Sequence, residues 1–258
     1  MSNTVTDPVA NTTSSAAADP VRDPHLLPNE LAFYREHGYL TLPGLLDAAA
    51  VAALRADVMA VMDVMGLGQS KLRQTNQYLR GSHLDRFVNS PTARALAGVM
   101  MAGEARMYLP FTAVKSAAGG DRFEYHQDNQ YTRLDGPAVN IWFALDDMTP
   151  ENGCLYIVPG SHRFGTLESL PSRDGDGHRA IDVAEDQPLP IRLRAGDAVA
   201  FHRLAVHGSG RNTTERHRVA YALQYFRTDT RALRGDDGWI PLIERNAHNV
   251  DPVDQLTP

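Results

Sequence analysis

From residue 106 onward the chain is cut into short apolar runs by Gly, Pro, Asp and Asn, and that texture limits the fold more than any other feature. The runs are 107–114, 139–145, 155–158, 191–193, 198–206 and 219–226. Strands of this length, succeeding one another without a helical period between them, close into an antiparallel sandwich or barrel. The first hundred residues read differently. A short helix over 31–37 stops at Gly38, residues 39–42 alternate as a strand, and Pro43-Gly44 turns the chain. Asp47 is placed to cap a longer helix ending near residue 65, along which Val51, Leu54, Val58, Val61, Met62 and Met65 recur at helical spacing. Ser90 as cap, with Pro91 at the first helical position, starts another that runs to about residue 101. Helices first and strands second put the helices outside one sheet of the barrel, an α+β class that is mainly β with flanking helices.

With 258 residues, 43% of them hydrophobic, the chain can bury one substantial core. Residues 1–27, rich in Ala, Ser, Thr, Asp and Pro, read as a disordered N-terminal tail, and 28–258 as a single domain. Within it, the polar stretch 163–190 carries Glu168, Asp174, Asp176, Asp182, Glu185 and Asp186; a loop so long is a lid, a binding loop or disorder. A net charge of -6 with scattered basic residues argues against nucleic acid. No run of 18 apolar residues exists to span a membrane. The single Cys154 excludes an intramolecular disulfide and a cysteine-built metal site, and the start of the chain lacks a basic segment followed by an apolar block, so the expected compartment is the cytoplasm. Composition leaves monomer and homodimer equally open.

The chemistry is concentrated in Tyr125-His126-Gln127-Asp128. In an extended segment residues two apart share a face, so an imidazole and a carboxylate can reach one ion together. A third ligand has to come from a distant strand; His162, His178, His202, His207, His217 and His248 are available. His207 ends an apolar run just before Gly208-Ser209-Gly210, a rim position that suits a functional side chain. His202 lies at an odd offset from His207, so a regular strand would turn the two to opposite faces. Two histidines and one carboxylate leave octahedral positions open, as non-haem Fe(II) requires. Arg218 opens the last apolar run, and a buried guanidinium there offers bidentate pairing to a carboxylate, with Ser209 adding a hydroxyl.

In order along the chain, Tyr125-His126-Gln127-Asp128, Trp142-Phe143-Ala144-Leu145-Asp146-Asp147, Glu151-Asn152-Gly153-Cys154-Leu155, Val158-Pro159-Gly160-Ser161-His162, His207-Gly208-Ser209, Asn212 and Arg218 resemble the phytanoyl-CoA dioxygenase family of Fe(II)/2-oxoglutarate oxygenases. The resemblance covers about 30–228. It implies a double-stranded β-helix (jelly roll, cupin-like), with His126, Asp128 and His207 as iron ligands. It also implies that Arg218 and Ser209 hold the distal carboxylate of 2-oxoglutarate in a pocket lined by Trp142, with O2 as the second cosubstrate. Relatives that halogenate replace the carboxylate with a small residue, so Asp128 implies hydroxylation or a related oxidation. Tyr108, Phe111 and Lys115 either line the pocket or pack the core, and Gln74 or Lys71 could reach the cosubstrate. Asn152-Gly153 and Pro159-Gly160-Ser161 read as turns, with His162 fixing a loop, and Asp146 and Asp147 as solvating a strand end.

The expected reaction is oxidation of a small molecule, an amino acid or an intermediate of specialised metabolism, with release of succinate and carbon dioxide. Desaturation and ring closure are alternatives to hydroxylation. Two rivals remain: a cupin-type metal enzyme that does not use 2-oxoglutarate, and a non-catalytic barrel that binds a small molecule.

Overall fold

The structure is a computed structural model that describes residues 18–67, 72–117, 119–172 and 178–242. Four α-helices come first: α1 (Pro28–His37), α2 (Ala48–Val64), α3 (His83–Val88) and α4 (Pro91–Met101). The strands are β1 (Tyr39–Leu42), β2 (Leu72–Arg73), β3 (Ala105–Lys115), β4 (Phe123–His126), β5 (Ala138–Ala144), β6 (Leu155–Ile157), β7 (Leu170–Pro171), β8 (Arg179–Ala180), β9 (Leu189–Ile191), β10 (Ala198–His202), β11 (His207–Ser209), β12 (Arg218–Arg227), β13 (Arg231–Leu233) and β14 (Trp239–Pro241).

A six-stranded sheet, in the order β1-β10-β5-β12-β3-β2, faces a four-stranded sheet, β4-β11-β6-β9. Every pairing in both is antiparallel. This is the double-stranded β-helix. The larger sheet is buried on both faces, which is why β5 has no exposed residue. Its alternation still sorts the side chains. Val139, Ile141 and Phe143 of β5, with Val219, Tyr221 and Leu223 of β12, pack under the helices. Trp142, Ala144, Ala220 and Ala222 turn inward and pack with Leu155, Ile157 and Ile191 of the smaller sheet.

The helix ends follow local chemistry. Asp47 accepts the Ala50 N–H at 2.8 Å and Ser90 Oγ the Ala93 N–H at 3.0 Å. Gly38 ends α1 at φ 78°, a left-handed conformation that disfavours any residue with a Cβ. Leu54, Val58, Val61 and Met62 of α2 are buried, whereas Met65, placed by spacing on the same face, lies past the helix end and is 42% exposed.

Three expectations need correcting. The run 198–206 is not one strand, because residues 203–206 turn between β10 in the large sheet and β11 in the small one. Residues 18–27 are tied to the core rather than continuing the tail. Val21 is buried, the Arg22 N–H donates to Leu45 O, and Asp19 accepts from Ser90 Oγ and the Thr92 N–H at the start of α4. Residues 1–17 of the expected tail lie outside those described. The stretch 163–190 is not one featureless loop. It contains the β7–β8 ribbon and ends in β9, which pairs with β6. Asp174 and Asp176 lie outside the described residues.

Candidate metal centre

β4 delivers His126 at its end, the backbone stays extended through Gln127 (φ −114°, ψ 139°), and Asp128 opens a 3-10 turn, Asp128–Gln130. One extended residue is enough to return Asp128 to the face of His126. His207 begins β11 and is the cross-strand partner of His126. The imidazole centroids lie 4.3 Å apart. Asp128 Oδ1 is 3.9 Å from His126 Nε2 and 3.8 Å from His207 Nε2. One ligand atom from each residue falls within 4.8 Å of the others, the only such His/Cys/Asp/Glu group among the described residues.

The histidine tautomers are set by the backbone. His126 Nδ1 donates to Glu124 O at 2.8 Å and His207 Nδ1 to Ala205 O at 3.0 Å. A carbonyl only accepts, so each neutral ring carries its proton on Nδ1 and turns the Nε2 lone pair toward Asp128. Burial, aided by the neighbouring His207, pushes the His126 pKa down to about 3, so its lone pair stays available at neutral pH. Asp128 is held twice. Gln224 Nε2 donates to Oδ2 at 3.0 Å, and Arg203 Nη2 donates to its main-chain O at 3.0 Å. Gln127, between the two ligands, donates through Nε2 to Gly165 O and Leu204 O and accepts from the Leu167 N–H.

The cluster opens into a cavity of about 640 Å³ between the two sheets. His126, Asp128, His207, Ser209, Trp142, Arg218, Tyr108, Phe111 and Gln74 all line it. Arg218 is 1% exposed; Nη2 donates to Gly153 O at 3.1 Å and Nη1 to Ala113 O at 3.4 Å, while buried Nε has no partner. No carboxylate among the described residues lies within ion-pair distance of it. Burial draws its pKa down to about 10. Its Cζ lies 5.6 Å from the Trp142 ring centroid, and Trp142 Nε1 is a second buried donor without a partner among the described residues. Gly153 fits here because its φ of 78° and the 2.5 Å approach of Gly210 O to a built Cβ exclude a side chain.

Other candidates fall elsewhere. His202, set aside by strand parity, is excluded instead by the break after β10: its ring packs 5.3 Å from His162. His162 Nε2 donates to Arg35 O at 3.0 Å, as a loop-fixing residue does. Lys115 is buried but does not line the cavity. It donates to Asp121 O, and burial followed by repulsion from Arg218 draws its pKa down to about 6. Asp146 does more than solvate a strand end, bonding Arg55 Nε and the Val219 N–H. Lys71 lies outside the described residues.

Residues 34–220 match the family described as phytanoyl-CoA dioxygenase (PhyH). The chain belongs to the phytanoyl-CoA dioxygenase family. Among curated relatives, L-proline trans-4-hydroxylase of Streptomyces griseoviridis is 28% identical, the match covering 86% of this chain and 94% of that protein. Dioxygenase lolE1 of Epichloe uncinata is 31% identical over 80% of this chain and 84% of its own length. Among solved structures, EvdO2 from Micromonospora carbonacea var. aurantiaca, complexed with 2-oxoglutarate, superposes at a TM-score of 0.70 with 22% identity, covering 84% of this chain and 96% of that one, a likeness of fold.

For a phytanoyl-CoA dioxygenase family member, three cavity residues escape a motif reading. Gln224, Asn140 and Arg203 all line the cavity, and all are buried. Gln224 and Asn140 are cross-strand neighbours on β12 and β5. The signal for those two was present: each is a single amide inside an otherwise apolar strand, where a polar side chain has to be satisfied or used.

Proposed function

We infer that the chain is an Fe(II)- and 2-oxoglutarate-dependent oxygenase that oxidises a C–H bond of a small molecule and releases succinate and carbon dioxide. The observation that carries this reading is one cavity holding both the His126–Asp128–His207 cluster and Arg218, a buried guanidinium without a carboxylate partner among the described residues. The donor set fits iron: two neutral imidazole nitrogens and one carboxylate on one face leave open positions. The unpartnered Arg218 Nε and Trp142 Nε1 fit a carboxylate arriving beside them. When bound, the iron supplies the oxygen chemistry that no side chain here can perform.

The protein's own part is binding, orientation and exclusion of water. Arg218 and Ser209 hold the distal carboxylate of 2-oxoglutarate, and Trp142 walls it in. Gln224 fixes the rotation of the Asp128 carboxylate. Tyr108, Phe111 and Gln74 line the substrate side. Asp128 fills the position that halogenating relatives leave to chloride, so hydroxylation is favoured over halogenation. The segment 163–190 acts as a lid: His178 lines the cavity, meets Phe123 edge-on and reaches the half-exposed Tyr131 at 3.3 Å. No helix among the described residues is long and apolar enough to cross a membrane. A cytoplasmic setting is part of this reading and rests on the lone, buried Cys154.

The substrate class favoured is a free amino acid or a similarly small metabolite, on the strength of the proline-hydroxylating relative. The test incubates iron-loaded protein with 2-oxoglutarate, oxygen and a panel headed by L-proline, reading succinate and product mass. The expected product carries one added oxygen atom, formed with matching succinate. Absence of all 2-oxoglutarate consumption contradicts the reading. Turnover indifferent to Arg218→Met favours a cupin-type enzyme instead.

A further inference from the structure

Arg203 is the second buried guanidinium on the cavity wall, and the cosubstrate reading has no use for it. It is 4% exposed, yet every group it touches is neutral. Nε donates to Asn129 Oδ1 at 3.3 Å, Nη2 to Asp128 O at 3.0 Å and Thr132 O at 3.1 Å, and Cζ lies 4.6 Å from the Tyr108 ring centroid. Nη1 takes no hydrogen-bond partner among the described residues, and no carboxylate there comes within ion-pair distance. A buried charge compensated only by carbonyls and a ring is costly, whereas an anion seated on the free edge of the fork would stabilise it.

The cavity as a whole is biased the same way. Arg203, Arg218 and Arg234 line it against the single carboxylate of Asp128, which the iron ligand set already uses. A second observation is independent of charge. Asn140 is 2% exposed, lines the same cavity, and its buried Oδ1 has no hydrogen-bond partner among the described residues. Its cross-strand neighbour Gln224 is committed to Asp128. Two polar groups, Arg203 and Asn140, therefore line the cavity without a role in holding the iron or 2-oxoglutarate in the reading above.

We propose that the substrate bears a carboxylate, held by Arg203 Nη1, with Asn140 Nδ2 as its second donor. This rests on the oxygenase reading and narrows it to small acids. Tyr108 keeps the guanidinium plane fixed, and the bonds to Asp128 O and Thr132 O aim it. The anchored carboxylate thereby sets which carbon of the substrate lies near the metal centre.

The test is calorimetric, on the full chain with Fe(II) and 2-oxoglutarate and without oxygen, using matched acid and amide pairs: L-proline and L-prolinamide, L-leucine and L-leucinamide, cyclopentanecarboxylate and its amide. At least one acid is expected to bind about tenfold or more tighter than its amide. Arg203→Gln should abolish that preference by weakening the acid alone, and Arg203→Lys should keep part of it. A residue that only braces the 128–132 turn would weaken acid and amide together. Equal binding of acids and amides to the unaltered protein, or binding of neither, overturns the proposal. So does an Arg203→Gln loss that falls on 2-oxoglutarate, since Arg203 would then serve the cosubstrate. Failure of 2-oxoglutarate to bind contradicts the oxygenase reading instead, and the acid-to-amide ratio measured without it still reports on Arg203.

Discussion

Gln224 Nε2 holds Asp128 Oδ2 at 3.0 Å, leaving Oδ1 as the oxygen that faces both His126 and His207. A side chain on β12 thus sets which edge of the carboxylate a metal held there would meet. Replacing such an outer partner weakens metal affinity by roughly 10–100-fold. Gln224→Met should do so, read by Fe(II) titration, with the fold intact by circular dichroism. Unchanged affinity would show that the Asp128 rotamer needs no support.

Arg218 should be far more sensitive than its position at a strand end suggests. Removing one partner of a buried charge pair costs about 2–5 kcal/mol. Arg218→Met is therefore expected to raise the KM for 2-oxoglutarate by at least about tenfold. Arg218→Lys should recover part of the loss, since it keeps charge but not the bidentate fork. Succinate formation at varied 2-oxoglutarate measures both.

Much of this site was legible in the sequence, for a physical reason. His126 and Asp128 are two residues apart, and an extended backbone at Gln127 alone aligns them. Arg218 and Ser209, which the motif reading also names, line the same cavity. The rest depended on contacts between distant segments. Arg203 reaches Asp128 O and Thr132 O across more than seventy residues of chain, and nothing local to it announces that. His202 was excluded for the wrong reason, because a turn hidden inside an apolar run moves the chain from one sheet to the other. The helix α3 escaped detection because six residues are too few for a periodic signal, although Ser82 caps it.

That short helix carries much of the packing between layers. Phe87 is fully buried and meets Phe143 at 4.8 Å and Tyr221 at 5.7 Å, both edge-on. Phe87→Ala should lower the unfolding free energy by roughly 3–5 kcal/mol. Denaturant titration tests this, and a loss below about 1 kcal/mol would mean that α3 docks loosely.

Acid should destabilise the iron-free protein in a defined window. Burial depresses His126 to about 3 and His202 to about 4. Both are neutral in either state above the ordinary histidine range. Below about 6.5 the unfolded chain takes up protons that the folded one refuses. Stability is thus full above that pH and declines as pH falls toward 4 and 3. His202→Asn should flatten the slope of denaturation midpoint against pH, and an unaltered slope would contradict the assignment.

Gln127 ties the 161–170 segment to the ligand motif through Gly165 O and the Leu167 N–H. Gln127→Ala removes the partner of these half-buried groups, at about 1 kcal/mol each. The expected result is a lower unfolding midpoint and a larger uncoupled fraction of 2-oxoglutarate consumption, measured as succinate formed per product. Coupling that stays unchanged would remove the lid from the account.

The central claim is that one cavity holds iron by His126, Asp128 and His207 and 2-oxoglutarate by Arg218 together. Its most direct measurement is the visible absorption of the protein loaded with Fe(II) and 2-oxoglutarate in the absence of oxygen. A metal-to-ligand charge-transfer band should appear on adding 2-oxoglutarate, and Asp128→Ala or Arg218→Met should weaken or abolish it. A well-folded, iron-loaded protein that shows no band would contradict the claim.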